Sequence, residues 1–332
     1  MLILTDQILS NYTTIQIGGC VQYMLFPTID IEVSEAIIWA KKQGLPFLFL
    51  AGGSNTVFPD QGLLYSQVII NLTKFNAVDL QIDPADNSSD RIKIIAKSGA
   101  SLQRLVDLSL NNNFGFQSGL MVGLNRIPGT IGGATVGNAG AYGTEIKDIV
   151  ESVKCLSLND FSNLILSSTE CRFGYRDSIF KQNKDLIILE VTLSLPITKN
   201  FEEDKVRYDE IANKRDVVYP VGFASPGSLF KNILFDSLSP AVKSKIPKEW
   251  IVYGNKLPVG KLLESLNCQG FSIGGIQMRP THSNIMVNFN KGSYQNAIDI
   301  VQDLKLRVYN QYEIIIEPEV RFISSNFNDF YK

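Results

Sequence analysis

Residues 119–143 read GLMVGLNRIPGTIGGATVGNAGAYG, and eight of these 25 positions are glycine, about a third of the 25 glycines in the chain. Glycine at that density brings backbone N–H groups close to a ligand and permits φ > 0 without a Cβ clash, which suits a phosphate-bearing cofactor. The dinucleotide fingerprint G-x-G-x-x-G and the P-loop G-x-x-x-x-G-K-[ST] are both absent. Upstream, the apolar run Leu45 to Leu50 ends in Ala51-Gly52-Gly53-Ser54-Asn55, a strand leading into a second glycine turn with polar side chains at its tip. Two separated glycine turns predict two grips on one long ligand.

At 332 residues the chain exceeds one ordinary core, so two or three domains are expected. Its 45% hydrophobic and 19% charged content belongs to a globular protein. A net charge of −2 offers no field for nucleic acid or an anionic membrane, and basic residues such as Arg172, Arg176 and Lys181 are punctuated by acids. Cys20, Cys155, Cys171 and Cys268 are far apart with no C-x-x-C pair, and with a single histidine no zinc spacing can be built, so no metal is expected. They read as small hydrophobes in a reducing compartment. The N-terminus MLILTDQILSNYTT has no basic leader, and no apolar stretch approaches the ~18 residues of a membrane span, so a soluble cytoplasmic protein is expected.

Periodicity predicts a helix over Val33 to Gln43, with Ala36, Ile37 and Ala40 inward and Gly44 as the stop, before the strand Phe47 to Leu50. Further strands are expected over Gln67 to Leu72, Arg91 to Lys97, Val150 to Leu158 and Leu186 to Leu195, with a polar hairpin loop at Asp83 to Asp90. Ser101 reads as the N-cap of a helix through Asn112. Composition shifts after Pro196, where a charged helical stretch (197–217) precedes a Pro/Gly-rich one, and a domain boundary is expected near residue 197. Helices are expected over Lys261 to Leu266 and Tyr294 to Gln311, then strand-like Ile314 to Ile316 and Val320 to Ile323. The fold class is α+β, with the glycine turns at strand ends.

Four further motifs are too polar to be core alone: CRFGYRDS at 171–178, GSLFKN at 227–232, Gly274-Gly275 with His282 downstream, and EPEVRF at 317–322. In this order with the two glycine turns they resemble the UDP-N-acetylenolpyruvoylglucosamine reductase (MurB) family, from Thr14 to Ile323. The resemblance implies an FAD-binding region of the p-cresol methylhydroxylase/vanillyl-alcohol oxidase (PCMH) type, with subdomains 1–72 and 73–197, and a substrate-binding C-terminal domain, 198–326. It implies non-covalent FAD held by Ala51, Gly52, Gly53, Ser54, Asn55, Pro128, Gly129, Thr130, Gly132, Gly133, Asn138, Gly140, Ala141 and Tyr142. Family members commonly have glycine where this chain has Ala51, a change of small cost unless φ must be positive.

The implied reaction is reduction of UDP-N-acetylglucosamine enolpyruvate to UDP-N-acetylmuramate for peptidoglycan synthesis, with NADPH as hydride donor. By resemblance Arg176, Ser228 and Glu319 are catalytic, while Tyr175, Lys231, Asn232 and His282 contact substrate. Negative charge developing at the substrate carboxylate needs fixed donors, and arginine offers two coplanar N–H bonds. Ser228 would protonate the carbon beside that carboxylate; apart from the resemblance it reads as an N-cap after the Pro226-Gly227 turn. Glu319 must be protonated or share a hydrogen bond; apart from the resemblance it reads as a surface acid at a strand edge. His282, the lone histidine, lies outside the flavin domain and is not expected to tether FAD. A monomer is expected. Two rival readings stay open: a flavin-dependent oxidase of the same superfamily, and a non-catalytic flavin-binding homologue.

The 52-position spacing from Arg176 to Ser228 suits the family's class without an inserted tyrosine-bearing segment, yet Leu234 to Leu257 is long and contains Trp250 and Tyr253. Tyr208 is therefore expected not to clamp the diphosphate, leaving Tyr253 or its neighbours to cover the site, or both tyrosines as surface packing.

Overall fold

The computed structural model describes residues 1–76, 81–82, 91–112, 114–115, 120–197, 201–218, 224–252 and 254–324. Contact density divides the chain into two units. The first holds Met1–Leu4, Tyr23–Gly52 and Val68–Val217; the second holds Thr5–Gln22, Gly53–Gln67 and Val218–Lys332. Residues 201–217 group with the first unit by contact density.

The first unit holds Leu2–Leu4 of strand β1 (Leu2–Ile8), Tyr23–Phe26 of β2 (Cys20–Phe26), all of β3 (Phe47–Leu50) and Val68–Asn71 of β4 (Leu63–Asn71), and β3 and β4 pair in parallel from Phe47↔Val68 to Leu50↔Asn71. Helix α1 (Asp30–Lys42) starts three residues before the expected Val33. Asp30 and Glu32 in its first turn complement the helix dipole, and Glu32 accepts from both the N–H and the hydroxyl of Thr28. Gly44, at φ +68, ends it as expected. Its inward Val33, Ala36, Ile37 and Ala40 are fully buried, with Leu25, Val68, Ile70, Leu156, Ile187 and Leu189 in the same core. Each of its larger side chains contributes about 1.5–3 kcal/mol by burial.

The second sheet of this unit is antiparallel, with strands β5 (Gln81–Ile82), β6 (Arg91–Lys97), β7 (Val150–Ser157), β8 (Asn163–Ser167) and β9 (Leu186–Pro196) in the order β8-β7-β9-β6-β5. β9 alternates buried and half-buried residues along its second half, the period-2 signal read in the sequence. On one face Lys154, Glu190 and Lys97 stand in register across β7, β9 and β6. Asp30 binds both lysines, at 2.8 Å to Lys97 and 2.6 Å to Lys154, and so fastens α1 to this sheet. Burial alone would raise the Asp30 carboxyl, but hydrogen bonds from Lys154 and Lys97 outweigh it and hold the pKa low.

Helices α2 (Leu102–Asn111), α3 (Leu120–Leu124), α4 (Ile131–Val136) and α5 (Phe201–Val218) also belong to the first unit, Val218 excepted. The Ser101 hydroxyl caps α2 by accepting from Arg104 N–H at 3.4 Å. The expected hairpin loop at 83–90 lies outside the described residues.

The second unit is built on α6 (Val259–Ser265), β10 (Ser272–Ile273), β11 (Ile276–Arg279), β12 (His282–Asn288), α7 (Tyr294–Tyr312) and β13 (Arg321–Phe322). β10, β11 and β12 form an antiparallel meander, and the predicted stripe Ala297, Ile300, Val301, Leu304 and Val308 of α7 is fully buried in this unit's core. The capping box of Ser293 and Asn296 starts α7. Among the described residues Ile314 to Ile316 joins no ladder, contrary to expectation: Ile314 and Ile316 are buried while Ile315 is 73% exposed, so burial alternates along the segment outside any strand. β13 pairs in parallel with Thr56–Val57.

The long stretch from Leu234 to Leu257 is an excursion whose ends pair, Ile233 with Leu257 and Leu234 with Lys256. Trp250, within it, meets the Tyr312 ring edge-on at 6.5 Å. Among the described residues no helix is long and apolar enough to cross a membrane, and no cluster of His, Cys, Asp or Glu could hold a metal ion. All four cysteines are free; burial raises the thiol pKa of Cys155, Cys171 and Cys268, while Cys20 is half-buried.

Candidate active site

In the first unit the two glycine turns meet. A Cβ on Gly52 would stand 2.9 Å from the Cα of Gly129, so the turns approach backbone to backbone. Gly129 takes φ +119, which favours glycine, and its carbonyl accepts from Leu102 N–H. Ala51 is not among the residues of positive φ, so the methyl group is tolerated there. Thr130 caps α4 through Gly133 N–H at 3.1 Å. A Cβ on Gly132 would meet the Cβ of Ser98 at 2.5 Å, and the buried Ser98 hydroxyl has no hydrogen-bond partner among the described residues. Bare backbone from two turns beside an orphaned hydroxyl fits a flavin dinucleotide, which offers phosphate and ring acceptors to both.

The wall continues through Asn138, Gly140, Ala141 and Tyr142. Asn138 (φ 43) is fully buried; its amide donates to Glu145 and to the carbonyl of Gly174 and accepts from Lys147 N–H. It thereby ties the glycine run to the FGYR turn. Arg176 (φ 54) completes the tie, donating to the carbonyls of Asn138 at 3.3 Å and Gly140 at 2.9 Å. Its guanidinium lies 5.5 Å from the centre of the Tyr175 ring. Tyr142, at φ 53 and 53% exposed, faces the guanidinium of Arg215 on α5 at 5.6 Å. Arg215 is buried and also donates to the carbonyls of Gly123 and Asn125, yet nothing in its charged stretch of sequence distinguished it. Pro128 belongs to the same turn as Gly129.

Tyr208 on α5 is 8% exposed and donates to Asn125 Oδ1 at 3.1 Å, inside the first unit. Its hydroxyl pKa is pushed up chiefly by burial, with the Asp107 charge adding to it. Tyr253 lies outside the described residues.

The second unit carries the other two candidate catalytic side chains on neighbouring extended segments. Residues 225–231 run beside β12. The Ser225 hydroxyl donates to Met286 O, Ser228 bridges Ile285, and Leu229 N–H donates to Asn284 O at 2.8 Å. On its other side the segment meets 317–319, where Phe230 bridges Pro318, Lys231 N–H donates to Glu317 O, and Glu319 N–H donates to Leu229 O at 2.8 Å. Beyond that lies the first turn's polar tip. Asn55 donates through Nδ2 to Glu319 O at 3.0 Å and accepts from Arg321 N–H, while Gly53, at φ +60, shares this unit with Ser54.

This geometry corrects the capping alternative for Ser228. Gly227 turns at φ +89 as the sequence suggests, but residues 228–231 continue in extended pairing and no helix begins there. Lys231 pairs with the exposed Glu317 at 3.1 Å, and Asn232 Oδ1 accepts from Val259 N–H at the start of α6. His282 opens β12. Its Nδ1 accepts from Asn284 N–H at 3.3 Å, and burial, aided by the Arg279 charge, lowers its pKa. Asn284 itself was missed by sequence reading; a polar residue inside the apolar run HSNIMVN was the available signal.

Comparison with known proteins agrees with this architecture. Residues 219–323 match the model of the UDP-N-acetylenolpyruvoylglucosamine reductase C-terminal domain, and residues 21–160 match an FAD binding domain. The chain is 30% identical to a UDP-N-acetylenolpyruvoylglucosamine reductase of Caldanaerobacter subterraneus over 95% of its own length and 91% of the relative's. The chain belongs to the UDP-N-acetylenolpyruvoylglucosamine reductase family. A reductase of the same name from Solibacter usitatus is likewise 30% identical, over 95% of both chains. The solved MurB structure from Thermus caldophilus superposes with a TM-score of 0.69 at 24% identity, covering 97% of this chain and 99% of that one, which shows the shared fold. The α+β FAD-binding fold expected from the sequence is thus present, and this MurB family member joins an FAD-binding domain to a reductase C-terminal domain.

Proposed function

We propose that this chain is an NADPH-dependent flavoenzyme that reduces the enolpyruvyl ether of UDP-N-acetylglucosamine to UDP-N-acetylmuramate, acting as a monomer in the cytoplasm. One observation carries the reading: in a chain of this family, Glu319 N–H donates to the carbonyl of Leu229, so Ser228 and Glu319 stand on hydrogen-bonded neighbouring segments. The same reading assigns residues 1–72 and 73–197 to two FAD-binding subdomains and 198–326 to a substrate domain. Within it, the cofactor-binding set runs from Ala51 to Asn55, Pro128 to Thr130, Gly132, Gly133, Asn138 and Gly140 to Tyr142.

Bound FAD supplies the relay of hydride from NADPH to the terminal vinyl carbon of the substrate. Electron density moves toward the substrate carboxylate, and Arg176 offers planar N–H donors to the oxygens that gain charge. Its fork is already oriented by two loop carbonyls, so little freedom is lost when the charge develops. The Ser228 hydroxyl delivers a proton to the carbon beside the carboxylate; it suffices as an acid because the enediolate is strongly basic. Glu319 acts either protonated or through a shared hydrogen bond, since a bare carboxylate there would repel the enediolate. Tyr175, Lys231, Asn232 and His282 are assigned to substrate binding.

Anaerobic mixing of the yellow protein first with NADPH and then with the enolpyruvyl substrate tests the reading. Bleaching by NADPH and recovery of colour by substrate are expected. Recovery by oxygen but not by substrate would favour the oxidase, and no bleaching at all a non-catalytic homologue.

A further inference from the structure

Ser228 is joined to β12 by an isolated bridge to Ile285, and the next two residues, Leu229 and Phe230, are bonded to Asn284. Asn284 is 4% exposed inside the apolar run of β12. Its side-chain amide binds both backbone groups of one residue, donating to Phe230 O at 2.9 Å and accepting from Phe230 N–H at 3.0 Å. Its own carbonyl accepts from Leu229 N–H at 2.8 Å, and its own N–H donates to His282 Nδ1 at 3.3 Å. One side chain therefore does for Phe230 what a paired strand would do, two residues from Ser228. Extended segments alternate faces with a period of two, so a slip of one residue in this pairing turns the serine hydroxyl to the opposite side.

We propose that Asn284 is a positioning residue that holds the 228–230 segment in register and so aims the Ser228 hydroxyl for proton delivery. The role rests on the reading of Ser228 as the proton donor. Asn284 touches no reacting atom in it; it acts through Phe230 and Leu229.

The test uses the FAD-loaded full chain carrying Asn284→Ala, with Asn284→Asp as the second variant, which keeps the acceptor for Phe230 N–H and the size of the side chain. In both, flavin reduction by NADPH is expected to stay within about twofold of the parent. Recovery of the oxidised flavin with the enolpyruvyl substrate should slow by up to about 100-fold, the scale of a small misplacement of a reacting group. The double variant Ser228→Ala/Asn284→Ala should be no slower than Ser228→Ala alone, because the two act as one unit. Independently of turnover, amide hydrogen exchange at Phe230 in Asn284→Ala should accelerate while that of β6 stays unchanged.

Equal slowing of both half-reactions, additive losses in the double variant, or unchanged exchange at Phe230 would each overturn the inference. If Asn284→Ala loses its flavin, Asn284→Asp, which retains the acceptor for Phe230 N–H, is read by the two half-reactions and by the double variant with Ser228→Ala, and loss of flavin in both marks Asn284 as structural and overturns the positioning role. Failure of the underlying function is distinguishable: the parent would then not recover colour with substrate, or Ser228→Ala would be unimpaired.

Discussion

At Ser228 the chemistry and the backbone make separable demands. On the proposed reading Ser228→Ala removes the proton to be delivered, while the pairing of 228–230 with β12 and with 317–319 uses backbone groups that survive the substitution. Flavin reduction by NADPH is therefore expected to persist, while the second half-reaction slows by about 10²- to 10⁴-fold, the usual range for a lost acid. Rapid mixing of each half-reaction measures this, and equal loss in both would mark the serine as structural. In the sequence the residue was legible as a polar interruption after a Pro-Gly turn, but its alternatives, N-cap or acid, differ only in whether the next residues coil into a helix or pair with a distant strand. Glu319 shows the same limit. Its neighbour across the segment gap, Leu229, is 90 residues away in the chain, and no local pattern encodes that pairing.

Among the elements, the two glycine turns carry the clearest structural cost. A methyl group at Gly52 would press on the Gly129 backbone at 2.9 Å, so Gly52→Ala should cost about 1–3 kcal/mol of local packing. Fluorescence titration with FAD should show weaker binding, and unchanged affinity would mean that the turns can part without consequence. The element β12 carries a different sensitivity. His282 is half-buried, and its pKa is lowered below the ordinary 6.5, chiefly through desolvation and then through the Arg279 charge. A depressed folded value means stability that is complete above the unfolded value and is lost as pH falls toward the folded one. Melting temperature should therefore fall between pH ~7 and ~5, and His282→Gln should shed part of that fall. Asp30 and other carboxylates contribute in both proteins, so the difference between them isolates the histidine; identical profiles would show that it does not titrate in this window.

At the scale of the whole molecule, FAD retention is the property on which the rest depends. The bare turns and the orphaned Ser98 hydroxyl of the first unit fit a flavin dinucleotide. Purified protein is expected to be yellow and to release free FAD on mild denaturation. A colourless protein that cannot be reconstituted with FAD, or one that carries FMN instead, would contradict it.

The sequence by itself determined the α+β class, most element positions and the two glycine turns, because hydrophobic period, capping residues and glycine density are local properties. The strand Phe47–Leu50, the Ser101 cap and the buried stripe of α7 all arise from side chains within a few positions of one another. It also determined the family, since six motifs in order survive at low overall identity. Only the tertiary structure decided that Ser228 lies in extended pairing instead of capping a helix, and that Ile314 to Ile316 joins no ladder among the described residues. It alone decided that Asn55 binds the carbonyl of Glu319, 264 positions away, and that Asn284 clamps Phe230. Those outcomes depend on which distant backbone groups remain to be satisfied once the cores close, and that is settled in space by packing.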